Sequence, residues 1–478
     1  MIPMTLAEIA DAVGGNVDKT TLGAGADPDR LSVSGPVVVD SRAAAPGGLF
    51  VARVGEVRDG HEYVASAATA GAVAAIVERP VPAAIPQVVV GDSEAALGRL
   101  ARRLVSRLPE LTIVGVTGSS GKTTTKDLLS QVLTPLGPVV APPGSYNTEV
   151  GVPLTVLTAD DTTRTLVVEM GARGVGHIRY LCGISPPRVG IVLNVGSAHL
   201  GEFGDRDTIA RAKGELVEAL PLGGIAVLNA DDPMVRRMAE RTAATVVMVG
   251  ESVHAELRAE NVQLDDHGRA SFTLVAADGT APVTLQLVGE HQVANALAVA
   301  GAALALGMDL AAVGAQLSAA RPVSRWRMEV TERPDGVTVV NDAYNANPES
   351  TRAALKSLAT IASGRRSWAV LGEMLELGDS STAEHDAIGR LAVRLNVSHL
   401  VVVGDGARAM HQGATLEGSW AGESTWVPDR DAAEALLNDE LRSGDVVLVK
   451  SSRDAGLRFL GDRLAAPAAA EGTREASA

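Results

Sequence analysis

The sequence predicts an α/β protein with three domains. The chain has 478 residues, which is more than one ordinary hydrophobic core accommodates. Short apolar runs alternate with helical patterns, and this alternation restarts near residues 109 and 322. We therefore expect domains at residues 1–108, 109–321 and 322–465, with a disordered tail at 466–478.

The first predicted domain is a small amino-terminal α/β domain. Its strands are predicted from four apolar runs: GPVVVD at 35–40, GGLFVA at 47–52, AAIVE at 74–78 and PQVVVGD at 86–92. Helical patterns such as EYVASAATAGA separate some of these runs. Strands alternating with helices indicate an α/β layer arrangement.

The central segment alternates helices with strands that are apolar on both faces, which predicts a parallel, doubly wound sheet. The strands are LTIVGVTG, TRTLVVEMG, PRVGIVLNVG and GGIAVLNADD. From 255 to 288 polar and apolar residues alternate, which predicts an antiparallel addition. Beyond Arg321-Pro322 the runs GVTVVND, RSWAVLGE, SHLVVVGD and DVVLVKSS predict a smaller, Rossmann-like α/β domain.

Composition excludes several classes of protein. The 42 Lys and Arg against 57 Asp and Glu give a formal charge of −15, which argues against a nucleic-acid binder. A single cysteine, Cys182, permits no intrachain disulfide and fits a reducing cytoplasm. The amino terminus shows no signal-peptide pattern. The longest charge-free apolar stretch, 296–308, is shorter than the roughly 20 residues of a membrane span.

The segment VTGSSGKTTTK, residues 116–126, resembles a phosphate-binding loop without its first glycine, because Val116 stands at that position. What remains is Gly118-x-x-Gly121-Lys122-Thr123 between a predicted strand and a predicted helix. Backbone N–H groups and the helix N-terminus attract phosphate there, Lys122 can reach the β and γ phosphates, and Thr123 can hold Mg²⁺. An incidental glycine-rich turn is the other interpretation. The context favours a P-loop ATPase-like central domain.

Other segments are less specific. Residues 404–409, GDGARA, fit a dinucleotide fingerprint, but no clear acidic residue ends a second strand about twenty residues later, where ribose binding would need it, so a tight turn is favoured. Glu169 and Asn194 end apolar strands, where sites of such sheets lie, and His199 follows soon after. Taken alone, His199 is a structural histidine and Lys213 a solvated helix lysine.

Several segments in order resemble the Mur ligase family, whose ATP-dependent members build the peptide of bacterial cell-wall precursors. They are TGSSGKTTTK, SYNTEVGVP, EMGA, NVGSAHL, AKGEL, GEHQVANALA, RMEV, NDAYNANPES and LVKSSR. Together these segments extend over nearly the whole chain. Two departures from the family pattern are Trp326, where the family often has glycine, and Ser451 in place of the glycine of K-G-S-R.

The resemblance implies roles for individual residues. The nucleotide contacts would be Gly118, Ser119, Ser120, Gly121, Lys122, Thr123, Thr124, Asn295, Arg327, Asp342 and Tyr344. The ligands of two Mg²⁺ ions would be Thr123, Glu169, His199 and Lys213, with Lys213 carried as a carbamate. The catalytic residues would be Lys122, His199, Lys213 and Arg327.

The resemblance also implies the substrate contacts Ser41, Arg42, Asp59, Gly60, His61, Asn147 and Thr148. For the first five, capping and turn residues are the other interpretation. LGEMLELG at 371–378, Glu384-His385 and the segment 37–63 resemble members that join D-alanyl-D-alanine to UDP-N-acetylmuramoyl tripeptide. In such a cytoplasmic, monomeric enzyme the carboxy-terminal domain would close on ATP and bind the dipeptide.

Three alternatives remain at this stage. The ligase that adds the third residue of the peptide is one, although the DNP-type motif of its diaminopimelate-specific forms is not found. A folylpolyglutamate synthase is another. A nucleotide switch that makes no product is the third, but a switch does not need NVGSAHL, AKGEL and a separate NDAYNANP domain.

Overall fold

The computed structural model describes residues 1–22, 27–55, 57–196, 200–417 and 423–466. Its three main sheets have five, nine and six strands, and each falls within one predicted domain. The α/β class with a central doubly wound sheet is thereby confirmed. Of the predicted tail, residues 467–478 lie outside the described residues.

By compactness the chain divides into two units, whose limits differ from the predicted domain boundaries. One unit comprises Met1–Val195, Asp207–Arg258 and Leu297–Gln316, and the other Gly196–Arg206, Ala259–Ala296 and Leu317–Ala478. The amino-terminal and central sheets thus share a unit for most of their length. The boundaries at 108, 321 and 465 stay predictions.

The amino-terminal sheet has the order β2-β7-β6-β5-β4, with β4 to β7 parallel and β2 antiparallel. A separate antiparallel pair joins β1 and β3. Most of these strands coincide with the predicted apolar runs. The elements are strands β1 (Met4–Thr5), β2 (Asn16–Val17), β3 (Ser32–Val33), β4 (Val37–Val38), β5 (Gly48–Val51), β6 (Ala72–Val77) and β7 (Gln87–Val89), and helices α1 (Leu6–Val13), α2 (Val64–Thr69) and α3 (Ser93–Ser106).

The central sheet contains nine strands. They are β8 (Thr112–Thr117), β9 (Val139–Val140), β10 (Thr165–Glu169), β11 (Val189–Val192), β12 (Ile225–Asn229), β13 (Thr245–Gly250), β14 (Leu257–Leu264), β15 (Arg269–Ala276) and β16 (Gly279–Val288). The helices of this segment are α4 (Lys122–Val132), α5 (Gly151–Val156), α6 (His177–Ile184), α7 (Leu200–Phe203), α8 (Arg206–Glu218), α9 (Pro233–Arg236), α10 (Gln292–Ala305) and α11 (Leu310–Ala319).

The order of the central sheet, β9-β10-β8-β11-β12-β13-β14-β15-β16, places β8 where the chain changes direction across the sheet. The strand β8 pairs in parallel with β10 on one side and β11 on the other. In open α/β sheets ligands bind at such a switch point, outside the carboxyl ends of the strands. The predicted antiparallel addition is confirmed for β15 and β16, whereas β14 joins β13 in parallel.

The carboxy-terminal sheet has the order β17-β18-β22-β19-β20-β21, parallel except for β17. Apolar cores lie on its two faces. The elements are strands β17 (Glu329–Glu332), β18 (Thr338–Asn341), β19 (Ser367–Leu371), β20 (His399–Val403), β21 (Ser424–Val427) and β22 (Val446–Lys450), and helices α12 (Pro348–Ala362), α13 (Ser381–Arg394), α14 (Arg408–Leu416), α15 (Arg430–Glu440) and α16 (Leu457–Ala465).

No helix within the described part of the chain combines the length and the apolar character that crossing a membrane requires. The Ala-rich run at 296–308 belongs mostly to α10, whose residues in this stretch are largely buried.

The close packing of α13 on α14 generates a stability prediction. A Cβ placed on Gly389 would lie 1.9 Å from Met410 O, so Gly389→Ala should lower stability by about 1–3 kcal/mol through overpacking. Gly183 lies in α6 with nothing within 4 Å of such a Cβ. Gly183→Ala, the matched control, should raise stability by about 0.5–1 kcal/mol through helix propensity.

Thermal unfolding of the parent and both variants measures these effects. The midpoint should fall for Gly389→Ala and should be unchanged or higher for Gly183→Ala. A Gly389→Ala protein that melts at or above the parent temperature would contradict the packing of α13 on α14.

Candidate active site

The predicted phosphate loop follows β8, and the sheet explains its missing glycine. Val116 is fully buried within β8, where it pairs with Glu169 of β10 and Ile191 of β11. The turn begins only at Gly118, where a Cβ would lie 2.9 Å from the Cβ of Leu193. Gly121, with φ of +82°, caps the start of α4 in a backbone conformation that glycine adopts without strain. The shorter loop therefore needs glycine at 118 and 121 and none at 116.

Asn194, just after β11, holds the loop in shape. Its Oδ1 accepts the N–H groups of Ser119 at 2.9 Å and Ser120 at 3.0 Å. Lys122 Nζ donates to Gly118 O at 2.6 Å, so its ammonium lies against the loop. The N–H groups in the first turn of a helix point out of its N-terminus, which is the positive end of the helix dipole, so the start of α4, from Lys122 to Thr124, is suited to anions. The sequence marked Asn194 only as a polar strand end.

Glu169 is the buried acceptor beside the loop. It ends β10 and is 1% exposed. Its Oε2 accepts from Thr123 Oγ1 at 3.0 Å. Its Oε1 accepts from Ser145 Oγ and from Asn147 Nδ2, both at 2.9 Å. The carboxylate thus connects the phosphate loop with the loop that precedes α5, and Ser145 is a member of the site that the sequence did not single out.

Thr123 and Glu169 also fit a magnesium ion. Mg²⁺ takes oxygen ligands and is usually bound through one or two carboxylates together with substrate phosphates and waters. A hydroxyl and a carboxylate that already lie within hydrogen-bond distance, next to a phosphate loop, provide such a donor pair. Thr148 lies just before α5, where its backbone O accepts the N–H of Val152 at 2.9 Å, and its contact with a substrate stays a prediction.

Lys213 does not behave as the solvated lysine that its position in α8 suggested. It is 3% exposed, and among the described residues no hydrogen bond or ion pair joins its ammonium to a partner. Burial, and then the nearby positive charge of Lys122, holds the pKa of Lys213 well below its usual range. A lysine in these surroundings favours the neutral amine.

A second buried residue of α8, Glu215, fixes the position of this helix. Its Oε1 accepts the N–H of Gly176 at 2.6 Å, and its Oε2 accepts that of Arg179 at 3.1 Å. The carboxylate therefore caps the N-terminus of α6, where negative charge is stabilising. The segment AKGEL contains this glutamate, but only the tertiary contact gives it a role.

Two further predicted site residues are His199 and Asn295. His199, the predicted second metal ligand, lies outside the described residues. Asn295 is buried in α10, and its Nδ2 donates to Gln292 Oε1 at 2.8 Å.

The predicted residues of the carboxy-terminal domain make three contacts. Asp342, after β18, accepts from Lys450 Nζ at 2.6 Å through Oδ2 and from the N–H of Met328 at 3.0 Å through Oδ1. The guanidinium carbon of Arg327 lies 4.2 Å from the ring centroid of Tyr344. Asp342, with its partner Lys450, and Tyr344 therefore both lie beside the turn that carries Arg327. Burial lowers the pKa of Lys450, while Asp342 opposes this effect.

The GDGARA segment makes a tight turn between β20 and α14, as favoured from the sequence. It borders a cavity of about 420 Å³ at the carboxyl ends of the parallel strands. The lining includes Glu373, Gly404, Asp405, Asp429 and Arg430. Ser451, the second departure from the family pattern, is buried with its hydroxyl donating to Ser452 O at 3.0 Å.

In the amino-terminal domain, His61 is a buried structural link. Its Nε2 accepts the N–H of Glu78 at 2.8 Å, so the ring proton lies on Nδ1, 2.7 Å from Asp59 Oδ1. Asp59 also caps the turn through the N–H of His61 and binds Arg79. A Cβ on Gly60 would lie 2.6 Å from Arg53 N, so this position tolerates only glycine.

The other two predicted contacts, Ser41 and Arg42, lie in a separate turn. Asp40 caps it by accepting the N–H of Arg42 at 3.0 Å, and the two side chains form an exposed ion pair at 2.6 Å. These hydrogen bonds lower the pKa of Asp40 to about 2. All five residues therefore have capping, turn or ion-pair roles, and their predicted contact with a substrate stays a prediction.

Three family models match segments of this chain. Family models described as "Mur ligase family, catalytic domain", "Mur ligase middle domain" and "Mur ligase, glutamate ligase domain" match residues 36–104, 116–303 and 326–453, respectively. The UDP-N-acetylmuramoyl-tripeptide–D-alanyl-D-alanine ligase of Mycobacterium tuberculosis is 52% identical over 98% of both chains. The Escherichia coli ligase of the same name is 32% identical over 96% of this chain and 97% of its own.

Solved structures agree. MurF from Acinetobacter baumannii is similar with a TM-score of 0.86 and 33% identity, covering 97% of this chain and 99% of that one. MurF ligase from Thermotoga maritima in complex with ADP has a TM-score of 0.77 and 31% identity, covering 90% and 97% of the two chains. The chain belongs to the Mur ligase family.

Proposed function

We propose that this protein is an ATP-dependent ligase that joins D-alanyl-D-alanine to UDP-N-acetylmuramoyl tripeptide in peptidoglycan precursor synthesis. The observation that carries the proposal is the 52% identity, over nearly the whole of both chains, to a ligase of that name. The predicted phosphate loop, whose Thr123 donates to Glu169, supports the proposal, because such a reaction needs bound ATP. We further propose that the enzyme acts in the cytoplasm as a monomer.

The reaction requires activation of a carboxylate. An amide does not form readily from a carboxylate and an amine, because the oxygen that must depart is a poor leaving group. If the terminal carboxylate of the tripeptide attacks the γ-phosphate of ATP, ADP departs and an acyl phosphate forms. The amine of the dipeptide then attacks the acyl carbon, and phosphate leaves through a tetrahedral intermediate.

The protein residues would neutralise and position the reacting groups. Carboxylate and triphosphate repel each other, and Lys122 and Arg327 provide cations to offset that repulsion. The N–H groups at the start of α4 would orient the phosphates. Thr123 and Glu169 would hold Mg²⁺, which, when bound, supplies charge neutralisation on the phosphate oxygens. Asn295, Asp342 and Tyr344 would contact the nucleoside.

Lys213 would be a carbamate in the active enzyme. The neutral lysine amine attacks CO₂, a C–N bond forms and the nitrogen releases a proton, and the product is an anionic, carboxylate-like carbamate. The depressed pKa of Lys213 favours the neutral amine that this addition needs, and the positive charge of Lys122 favours the anion that results. The carbamate would join Glu169 as a metal ligand, and His199 would serve a second ion.

The remaining substrate contacts fall in two domains. The amino-terminal turn from Asp59 to His61, with Ser41 and Arg42, would bind the UDP-sugar, and Asn147 and Thr148 would lie along its peptide. The carboxy-terminal domain would close on ATP and bind the dipeptide. The cavity of about 420 Å³ at the ends of its strands is a suitable volume for that dipeptide. Bringing three substrates together supplies much of the acceleration, and closure excludes water from the acyl phosphate.

An omission assay tests the proposed function. Phosphate release should require ATP, Mg²⁺, UDP-N-acetylmuramoyl tripeptide and D-alanyl-D-alanine together, and each omission should abolish product. Substituting UDP-N-acetylmuramoyl dipeptide with a diamino acid tests for the third-residue ligase, and a folate with glutamate tests for the folylpolyglutamate synthase. Phosphate release at the full rate without D-alanyl-D-alanine would reject the proposal in favour of a nucleotide switch or another ligase.

The carbamate has its own test. Lys213→Ala should lower kcat by about 100-fold or more, because a metal-bound anion is lost, and short carboxylates such as formate should restore part of the activity. The parent equilibrated with ¹³C-bicarbonate should show a carbamate carbon signal that the variant lacks. Lys356→Ala, at an exposed lysine of α12, is the matched control and should keep the parent kcat and the carbamate signal. A fully active Lys213→Ala enzyme, or an unmodified Lys213 in active parent protein, would contradict the assignment.

A further inference from the structure

The turn that carries Arg327 has an uncommon backbone. Trp326 has a φ of +60° and Met328 a φ of +50°, so residues in the left-handed region stand on both sides of Arg327. Only six non-glycine residues of the described chain have positive φ, and two of them flank this one arginine. Left-handed backbone is costly for bulky side chains and persists only where the surroundings enforce it.

Two carboxylates enforce this turn. Glu329 Oε2 accepts the N–H of Trp326 at 2.9 Å, and Asp342 Oδ1 accepts the N–H of Met328 at 3.0 Å. Tyr344 adds a backbone hydrogen bond from its N–H to Trp326 O at 3.3 Å. These bonds explain how the backbone around Arg327 is held. They do not require an indole at position 326, and glycine would adopt the same φ without strain.

The indole of Trp326 makes contacts of its own. Its Nε1–H donates to Asp462 Oδ1 at 2.9 Å. Its ring stacks with Tyr344, with centroids 6.4 Å apart and planes inclined by 28°, and meets the ring of Phe459 edge-on at 6.4 Å. The guanidinium of Arg325 lies 5.0 Å from its centroid. The ring is therefore fixed in position, although it is only partly buried.

Tyr344 connects this indole with Arg327. The centroid of the Tyr344 ring lies 6.4 Å from the centroid of the Trp326 ring and 4.2 Å from the guanidinium carbon of Arg327. Ring stacking and a cation over an aromatic ring each restrict the side chains that they join. Removing the indole takes away the stacking contact that restrains the Tyr344 ring, and Arg327 then packs on a less restrained ring.

We infer that Trp326 is a nucleotide-positioning residue, because its indole orients the Tyr344 ring and, through it, the Arg327 guanidinium. The inference rests on the proposed function, in which Arg327 and Tyr344 contact ATP. It also explains why a bulky residue occupies a left-handed position where family members often have glycine. The side chain contributes an ordered ring that the backbone turn alone does not supply.

The decisive variant is Trp326→Gly, which keeps the left-handed turn and removes only the indole. The affinity for Mg-ADP, measured by isothermal titration calorimetry on the full chain, should fall about 5- to 20-fold, since a stacked pair and its cation contact are lost. The KM for ATP should rise correspondingly. The affinity for the UDP-linked tripeptide should stay within twofold of the parent. The affinity of Trp326→Phe for Mg-ADP should lie between those of the parent and Trp326→Gly, because this variant keeps a ring and loses only the Nε1–H.

The matched control is Trp368→Phe in the same domain. Trp368 is buried, and its Nε1–H donates to Asp445 Oδ2 at 3.1 Å, so the same substitution there should lower the melting temperature and leave ADP affinity unchanged. Trp326→Gly protein that binds ADP within twofold of the parent overturns the inference. So does an equal loss of affinity for ADP and for the UDP-linked tripeptide, since that is a general loss of structure. A parent that binds no ADP rejects the proposed function itself.

Discussion

The buried carboxylate of Glu169 is the constraint on which the central part of the structure depends. At 1% exposure an ionised carboxylate is tolerated only with hydrogen-bond donors around it, and removing one neutral donor from a buried charge typically costs about 1.5–3 kcal/mol. Thr123, Ser145 and Asn147 supply the donors. Because these residues come from the phosphate loop and from the loop before α5, satisfying one charge fixes the relative positions of both loops.

The topology of the sheet makes this arrangement possible. The strand β8 leads into the phosphate loop. Of its two neighbours, β10 ends in Glu169, and β11 is followed two residues later by Asn194. The carboxyl ends of parallel strands lie at one edge, so three segments far apart in sequence meet there. Asn194 then holds the loop amides of Ser119 and Ser120, while Glu169 holds the hydroxyl of Thr123. The site is a consequence of strand order as much as of the glycine-rich motif.

Much of the fold and part of the site follow from local sequence. Apolar runs indicate strands, and the glycine-lysine-threonine pattern indicates a phosphate loop, because both depend on neighbouring residues. The burial of Lys213 does not follow, since α8 places it against residues that are distant in sequence, and its polar neighbours suggest a solvated face. The left-handed φ of Trp326 is also hidden, because side-chain type favours the opposite sign there. The surroundings of the two buried lysines are hidden in the sequence as well. Lys450 is paired with the carboxylate of Asp342, whereas Lys213 lies near the cation Lys122.

The central claim is that this site uses ATP to make one carboxylate reactive toward one amine. Transfer of oxygen tests the claim most directly. UDP-N-acetylmuramoyl tripeptide labelled with ¹⁸O in its terminal carboxylate is turned over once with ATP and D-alanyl-D-alanine, and the phosphate released is analysed by mass spectrometry. Attack on the γ-phosphate followed by departure of phosphate from the acyl carbon predicts one ¹⁸O atom in the phosphate. Unlabelled phosphate accompanying full formation of the amide product would contradict it.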